Sequence, residues 1–433
     1  MSETMIGIVG LVLLLAMFLT GMELGFSMAM LGFLGFSYII SVKAGLGLLA
    51  QDFFDVFTSY GFTVVPVFVL MGLIAFNAGI AKHLYVSAYR FIGHIPGGLA
   101  MATVGGATAF GSITGSPSAT AATFASVAIP EMDRYHYSKK LSSGVVAASG
   151  CLGPLIPPSN PLIVYGIITE QSIGKLFTAS LLPGLLVSLF FMLTVYGWCR
   201  INPSIGPRGE RSSWRERISS LRGVAPVGII FIVVVGGLML GFFTPTEAGG
   251  VGAFSVAVLC FVKRDINWEG FVKSIIETLR TSCMVLVLIL GSIIFGHFIA
   301  VTKIPMAAAD WIAALPFDRH IILVLIGLTY LLGGSFIDDL AFLVLATPIF
   351  YPVIVKLGFD LIWFGIFLQV VVMIGVIIPP VAINVFIVKN ITKVPLGVIY
   401  SGTLPFLIGL VICAFLLLLF PQIALFLPSF LGL

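Results

Sequence analysis

Apolar stretches close to the length of a bilayer-spanning helix recur along nearly the whole chain, and Lys, Arg, Asp and Glu collect in the short segments between them. The pattern predicts ten crossings, near 5–20, 24–41, 61–80, 141–168, 175–198, 224–242, 246–262, 281–302, 361–388 and 396–420. Two further apolar stretches, about 97–130 and 320–352, have Gly-rich or polar centres and are read as re-entrant hairpins. None of the runs alternates with period two, which excludes a β-barrel and leaves an all-α polytopic membrane protein.

Two of the crossings carry their own interruption. Gly153-Pro154-Leu155-Ile156-Pro157-Pro158 and Gly375-Val376-Ile377-Ile378-Pro379-Pro380 lie 222 positions apart. A proline removes a backbone N–H and clashes with the preceding turn, so each segment breaks a helix near its middle. Peptide groups freed inside lipid cost several kcal/mol each, so such a break must line an enclosed cavity or an ion site. Other landmarks repeat in the same order: Gly111-Ser112 with Gly334-Ser335, offset 223, and Leu182-Pro183 with Leu404-Pro405, offset 222. Each half has an odd number of crossings, so the second copy is expected upside down relative to the first. That is the inverted-repeat architecture of secondary transporters, with the site at the bilayer midplane. The expected division is a first repeat over 1–199, a linker over 200–223 and a second repeat over 224–433.

Composition narrows the class. With 59% hydrophobic and 9% charged residues, the chain is not a soluble domain with one anchor. The first run lacks a basic flank and is expected to be a retained helix rather than a cleaved signal. If the N-terminus is outside, seventeen Lys and Arg fall on the inner side and five on the outer. This bias holds only if both hairpins return to their starting face, and it places both termini in the periplasm of an inner-membrane protein. The net charge of +4 therefore reports topology, not nucleic-acid binding. Five scattered Cys indicate neither a disulfide framework nor a metal motif. No phosphate loop is present, so the chain is not expected to hydrolyse ATP or to be an enzyme.

The first hairpin centres on Gly111-Ser112-Ile113-Thr114-Gly115-Ser116-Pro117-Ser118-Ala119-Thr120. Small residues permit a tight turn, and hydroxyls beside free carbonyls make the all-oxygen environment that suits Na⁺. Such clusters also serve plain helix packing. The second hairpin centres on Gly333-Gly334-Ser335-Phe336-Ile337-Asp338-Asp339. Adjacent carboxylates deep in an apolar stretch are costly unless they coordinate an ion, pair or protonate; nearer the surface they would simply be solvated. Beyond the breaks, Ser159, Asn160 and Asn384 begin re-started half-helices whose positive ends suit an anionic substrate, and the two Asn serve equally well as helix caps. Proteolysis is disfavoured: no second buried Asp accompanies the pair, and no spacing ties His297 to Ser116.

Several ordered motifs carry a family resemblance: Gly111 to Ala121 followed by Ile129 to Met132, Gly153 to Ser159 with Ile163 to Gly166, Thr244 to Ala248, Gly334 to Asp338 with Thr347-Pro348, Gly358 to Asp360, and Ile378 to Asn384. Over nearly its whole length the chain resembles the large membrane subunit of tripartite ATP-independent periplasmic (TRAP) transporters, within the ion transporter superfamily. The resemblance implies an elevator mechanism, with in-plane arm helices at about 81–96 and 263–280 and a transport domain holding both hairpins and both breaks. It implies Na⁺ as coupling ion, in one site made by Ser112, Gly115, Ser116, Gly153 and Pro157 and another made by Gly334, Ser335, Asp338, Gly375 and Pro379. Substrate contacts are expected from Ser118, Thr120, Ser159, Asn160 and Asn384. Asp339 departs from the family pattern, where a small or hydroxyl residue is usual, and Pro117 stands where members commonly have a small one. A small four-helix membrane subunit and a soluble periplasmic binding protein that delivers an organic anion are the implied partners, neither expected to be fused. The competing readings are a stand-alone Na⁺- or H⁺-coupled carrier or antiporter of the same superfamily, which would need no binding protein, and an uncoupled channel-like or scaffolding component, which leaves the duplicated breaks unexplained.

Overall fold

A computed structural model describes residues 2–307 and 318–432, and among these residues no strand occurs. The first half runs through α1 (Glu3–Leu19), α2 (Leu24–Ile39), α3 (Val42–Thr58), α4 (Val64–Asn77) and α5 (Ile80–Ile92). It continues through the hairpin arms α6 (Gly98–Thr114) and α7 (Pro117–Arg134), the broken helix α8 (Lys139–Gly150) and α9 (Asn160–Ile168), and α10 (Ile173–Ile201). The second half comprises α11 (Trp214–Met239), α12 (Pro245–Lys263) and α13 (Trp268–Val301), then the hairpin arms α14 (Arg319–Phe336) and α15 (Asp339–Lys356). A second broken helix, α16 (Leu361–Gly375) and α17 (Ile383–Thr392), precedes α18 (Leu396–Leu419) and α19 (Gln422–Phe430). Among the described residues, eight helical segments are long and apolar enough to cross a membrane.

Two sequence landmarks are helix start signals. In Thr244-Pro245-Thr246-Glu247, the Thr244 hydroxyl accepts from the Glu247 N–H at 3.3 Å and the Glu247 carboxylate accepts from the Thr244 N–H at 2.9 Å. Proline occupies the first helical position, where no N–H is needed. Likewise Asp360, which ends Gly358-Phe359-Asp360, caps α16 by accepting from the Trp363 N–H at 2.8 Å.

The hairpins and the breaks fall where the sequence predicts them, and a separate helix, α5, covers most of the first expected arm segment. Two scaffold features differ. The expected arm over 263–280 is not separate: it is continuous with the crossing at 281–302 in the 34-residue α13, about 51 Å long. No Gly or Pro lies between Phe271 and Leu290, so nothing ends the helix there. The amphipathic α3 is additional. Its Lys43, Gln51, Asp52 and Asp55 hide it from a hydropathy reading, while Asp52 is buried and lies 3.3 Å from the His297 ring of α13.

Close backbone approach holds α2 against α13. A side-chain carbon on Gly25 would lie 2.8 Å from Leu288 Cα, and one on Gly32 would lie 2.7 Å from the Phe295 nitrogen. Gly32→Leu is expected to destabilise the protein by about 1–3 kcal/mol through overpacking. Thermal unfolding in detergent tests this against Gly250→Leu, whose glycine faces open space; equal midpoints would refute it.

The centre of the molecule is formed by α8 and α16, which are buried without interruption over Leu141–Gly150 and Ile362–Gly375. The two meet near their C-terminal ends. The Cys151 Sγ donates to the Met373 carbonyl at 3.4 Å, and these positions are themselves 222 apart. Equivalent positions touch only on the axis that relates two copies, so the halves meet there about a local two-fold axis. The re-started helices cross over reciprocally: α9 packs on α15 of the second hairpin, and α17 packs on α7 of the first.

Candidate functional site

Each hairpin tip closes on the break of its own half. In the first, Gly111-Ser112 meets Gly153 so closely that a side-chain carbon on Gly111 would lie 2.6 Å from Gly153 Cα. Gly115 has φ +59°, a conformation that suits glycine, and a carbon there would lie 2.7 Å from the Pro158 carbonyl and 3.2 Å from the Asn160 nitrogen. Gly153 in turn faces the Ser116 carbonyl at 2.7 Å and the Thr120 hydroxyl at 3.0 Å, measured the same way. The peptide bonds Pro157–Pro158 and Pro379–Pro380 are both cis.

Ser112, Gly115, Ser116, Gly153 and Pro157 are thus brought to one tip-and-break junction. The Ser116 side chain caps α7 by accepting from the Ala119 N–H at 3.3 Å. The Thr120 hydroxyl donates to the Ser116 carbonyl at 2.8 Å and lies 3.3 Å from the Thr114 hydroxyl, and Ser112 donates to the Ala109 carbonyl at 2.7 Å. Ser116, Thr114 and Asn160 share a cavity of about 150 Å³ with Gly72 and Phe76 of α4 and Thr281 of α13. Ser159 is buried and caps α9 through the Leu162 N–H at 3.4 Å, while Ser118 is half-buried.

The second junction repeats this plan. A carbon on Gly375 would lie 2.7 Å from the Gly334 carbonyl carbon, the Ser335 nitrogen and the Leu331 carbonyl oxygen. The Ser335 carbonyl accepts from the Val381 and Ala382 N–H groups at 3.2 and 3.3 Å, tying the tip to the residues just past Pro379 and Pro380. Asp338 is exposed at the turn and caps α15, accepting from the Leu340 N–H at 3.2 Å. Asp339 points inward, 3% exposed, with its Oδ2 unpartnered.

Asn384 crosses to the first half, beside Gly150, a position that the Pro117 carbonyl of the first hairpin also faces. It is fully buried, donates to the Ala147 carbonyl at 3.0 Å, and lies 3.9 Å from the Cys151 sulfur beside the two-fold axis. Its Oδ1 has no partner, and both amide atoms of the fully buried Gln369 on α16 also lack one. Sequence reading passes over Gln369, and the only signal is one amide in an otherwise apolar fourteen-residue run from Leu361 to Ile374. Unpartnered buried oxygen atoms cost about 1–3 kcal/mol each, so the donor set fits a bound cation or ordered water in the core. Among the described residues, no group of three or more His, Cys, Asp or Glu could hold a metal ion. The oxygens on offer are carbonyls, hydroxyls and single carboxylates, the hard, low-charge set that a monovalent cation takes.

Comparison with known proteins shows the family. Residues 11–423 match the family model of the DctM component of tripartite ATP-independent periplasmic transporters. The chain is 35% identical over 385 residues to the C4-dicarboxylate TRAP transporter large permease protein DctM of Pseudomonas aeruginosa, covering 89% of this chain and 90% of that one. It is 32% identical over 425 residues to the sialic acid TRAP transporter large permease protein SiaM of Vibrio cholerae, covering 96% and 97%. Both relatives are transporter permeases. The fold is similar to the solved YdaH transporter of Alcanivorax borkumensis, with TM-score 0.54 and 15% identity over 87% of this chain and 89% of that one.

Proposed function

Because the chain belongs to the DctM-component family of tripartite ATP-independent periplasmic transporters, we propose that it is the large permease of a Na⁺-coupled uptake system for an organic anion in the bacterial inner membrane. A small four-helix membrane subunit completes the permease, and a soluble periplasmic binding protein delivers the substrate. The observation that carries this reading is the duplicated junction in which Gly115 seats against Pro158 and Gly375 against Gly334 and Ser335, each lined with backbone and hydroxyl oxygens. The relatives named for C4-dicarboxylate and for sialic acid support a carboxylate as cargo.

In this mechanism Na⁺ enters the two junctions, and its charge together with the α9 and α17 N-termini draws the anion between the tips. Carried inward, each net positive charge gains about 2.3 kcal/mol per 100 mV, so two Na⁺ with a monoanion make transport electrogenic. The hairpins and broken helices move as an elevator against a scaffold that includes α4 and α13. The 150 Å³ cavity shared by Ser116, Asn160 and Thr281 supports this reading, since it separates residues of the first junction from α13.

The test is uptake into proteoliposomes containing this chain, its small partner subunit and the binding protein. Accumulation is expected only with an inward Na⁺ gradient, faster with the interior negative, and absent without the binding protein. Full transport by this chain alone would favour a stand-alone carrier, and Na⁺-independent flux would overturn coupling.

A further inference from the structure

The segment joining the halves is strapped to the base of the first hairpin. Gly97 N–H donates to the Gly206 carbonyl at 2.9 Å, Gly209 N–H to the Gly93 carbonyl at 2.9 Å, and Ser138 N–H to the Ile205 carbonyl at 3.0 Å. The Tyr137 hydroxyl adds a fourth bond, donating to the Pro207 carbonyl at 2.8 Å. Beneath this strap lies a cavity of about 780 Å³, whose lining includes His94, Tyr196, Arg200, Arg208 and Arg211 and no acidic residue. Among the described residues, none of these arginines lies within ion-pair distance of a carboxylate. Glu210, the one acid of the strap, does not line the cavity, and His94 Nδ1 is buried without a partner.

A positive-inside bias explains basic residues in a loop but not their convergence. Three guanidinium groups around one walled cavity repel one another unless an anion sits between them, and their planar forks match phosphate oxygens two at a time. The aromatic residues beside the cavity point to the source of that phosphate. The cavity opens at the end of α10, where Arg200 donates to the Tyr196 hydroxyl at 2.8 Å and Lys140 lies 5.6 Å over the Trp198 ring. Tyr and Trp beside basic residues mark the headgroup level of a bilayer. We propose that this cavity binds the headgroup of an anionic phospholipid, held through its phosphodiester by Arg200, Arg208 and Arg211 with His94 as a further hydrogen-bonding partner. Such basic pockets between transmembrane helices are suited to acidic lipids of the leaflet they face. The lipid would brace the strap against the hairpin base.

The full chain is reconstituted in phosphatidylcholine nanodiscs with a small fraction of cardiolipin, and bound cardiolipin is counted by native mass spectrometry. The wild type is expected to retain cardiolipin in preference to phosphatidylcholine. Arg200→Gln/Arg208→Gln/Arg211→Gln is expected to lower that retention about tenfold. Arg215→Gln/Arg217→Gln/Arg222→Gln, which removes the same charge from the adjoining α11, is expected to retain it within about twofold. If the first variant does not fold, Arg208→Gln alone is expected to lower retention about threefold in the same comparison. No cardiolipin preference in the wild type, or an equal loss in both triple variants, would overturn the proposal. Full displacement of the lipid by millimolar inorganic phosphate would overturn it in favour of a soluble anion.

Discussion

Gly375→Val is expected to reduce Na⁺-driven uptake on the order of a hundredfold while the protein still inserts and folds. All three atoms that crowd this position, on Gly334, Ser335 and Leu331, belong to the backbone of the hairpin, so no side-chain rotation can make room. Overpacking of this kind costs about 1–3 kcal/mol and is relieved by moving one element away from the other. Moving the hairpin carries the Ser335 carbonyl away from the Val381 and Ala382 N–H groups and opens the ring of oxygens around any ion held there. A site loosened by about 1 Å loses most of its function even when every ligand is present. Gly153→Val should act alike in the first half, where the Ser116 carbonyl is the obstacle. Gly397→Val, at a position with nothing near it, provides the control. Uptake by Gly375→Val at the control's rate would show that the tips need not seat on the breaks.

Asp338→Asn is expected to raise the Na⁺ concentration for half-maximal uptake roughly thirtyfold or more, corresponding to about 2 kcal/mol or more of lost ion binding. The substitution isolates charge from structure. Asparagine caps a helix as well as aspartate does, and its carbonyl oxygen can still accept from the Leu340 N–H. The fold is therefore retained while the ion loses its formal countercharge. Ser116→Ala removes one neutral oxygen and a cap, and should shift Na⁺ dependence less. The measurement is initial uptake rate against Na⁺ concentration in proteoliposomes, with thermal unfolding recorded in parallel. An unchanged Na⁺ curve in both variants would remove these junctions from the coupling mechanism.

The breaks and hairpins were legible because they depend on local rules. A Gly followed by a Pro pair ends a helix whatever surrounds it, and small residues clustered inside an apolar run mark a turn. The duplicated spacing then aligned Gly153 with Gly375 and Gly111 with Gly334, and the structure brings Gly111 against Gly153 in the first half and Gly334 against Gly375 in the second. The illegible parts depend on tertiary partners. α3 carries too much charge to read as a membrane element, and only the pairing of Asp52 with His297 explains an acid on its buried face. The second arm merged into α13 because charge marks the membrane boundary without breaking a helix. Asn384 reads as a residue beside a cavity, yet α17 crosses to the other repeat and delivers its side chain to the Ala147 carbonyl. Gln369 gave almost no signal, since one amide among apolar neighbours looks the same whether it faces lipid, a partner helix or an ion.

The touching of Cys151 and Met373 also bears on how this core differs from a pairing of identical chains. In a homodimer, any residue near the symmetry axis is forced to appear on both sides of it. Joined in one polypeptide, the halves are free to diverge, and they have done so around that point. Position 369 is an amide opposite alanine at 147, and 384 an amide opposite leucine at 162; conversely Ser159 and Asn160 stand opposite Val381 and Ala382. Polarity is thus distributed differently in the two copies, giving the interior a lopsided field that no pair of matching subunits could generate.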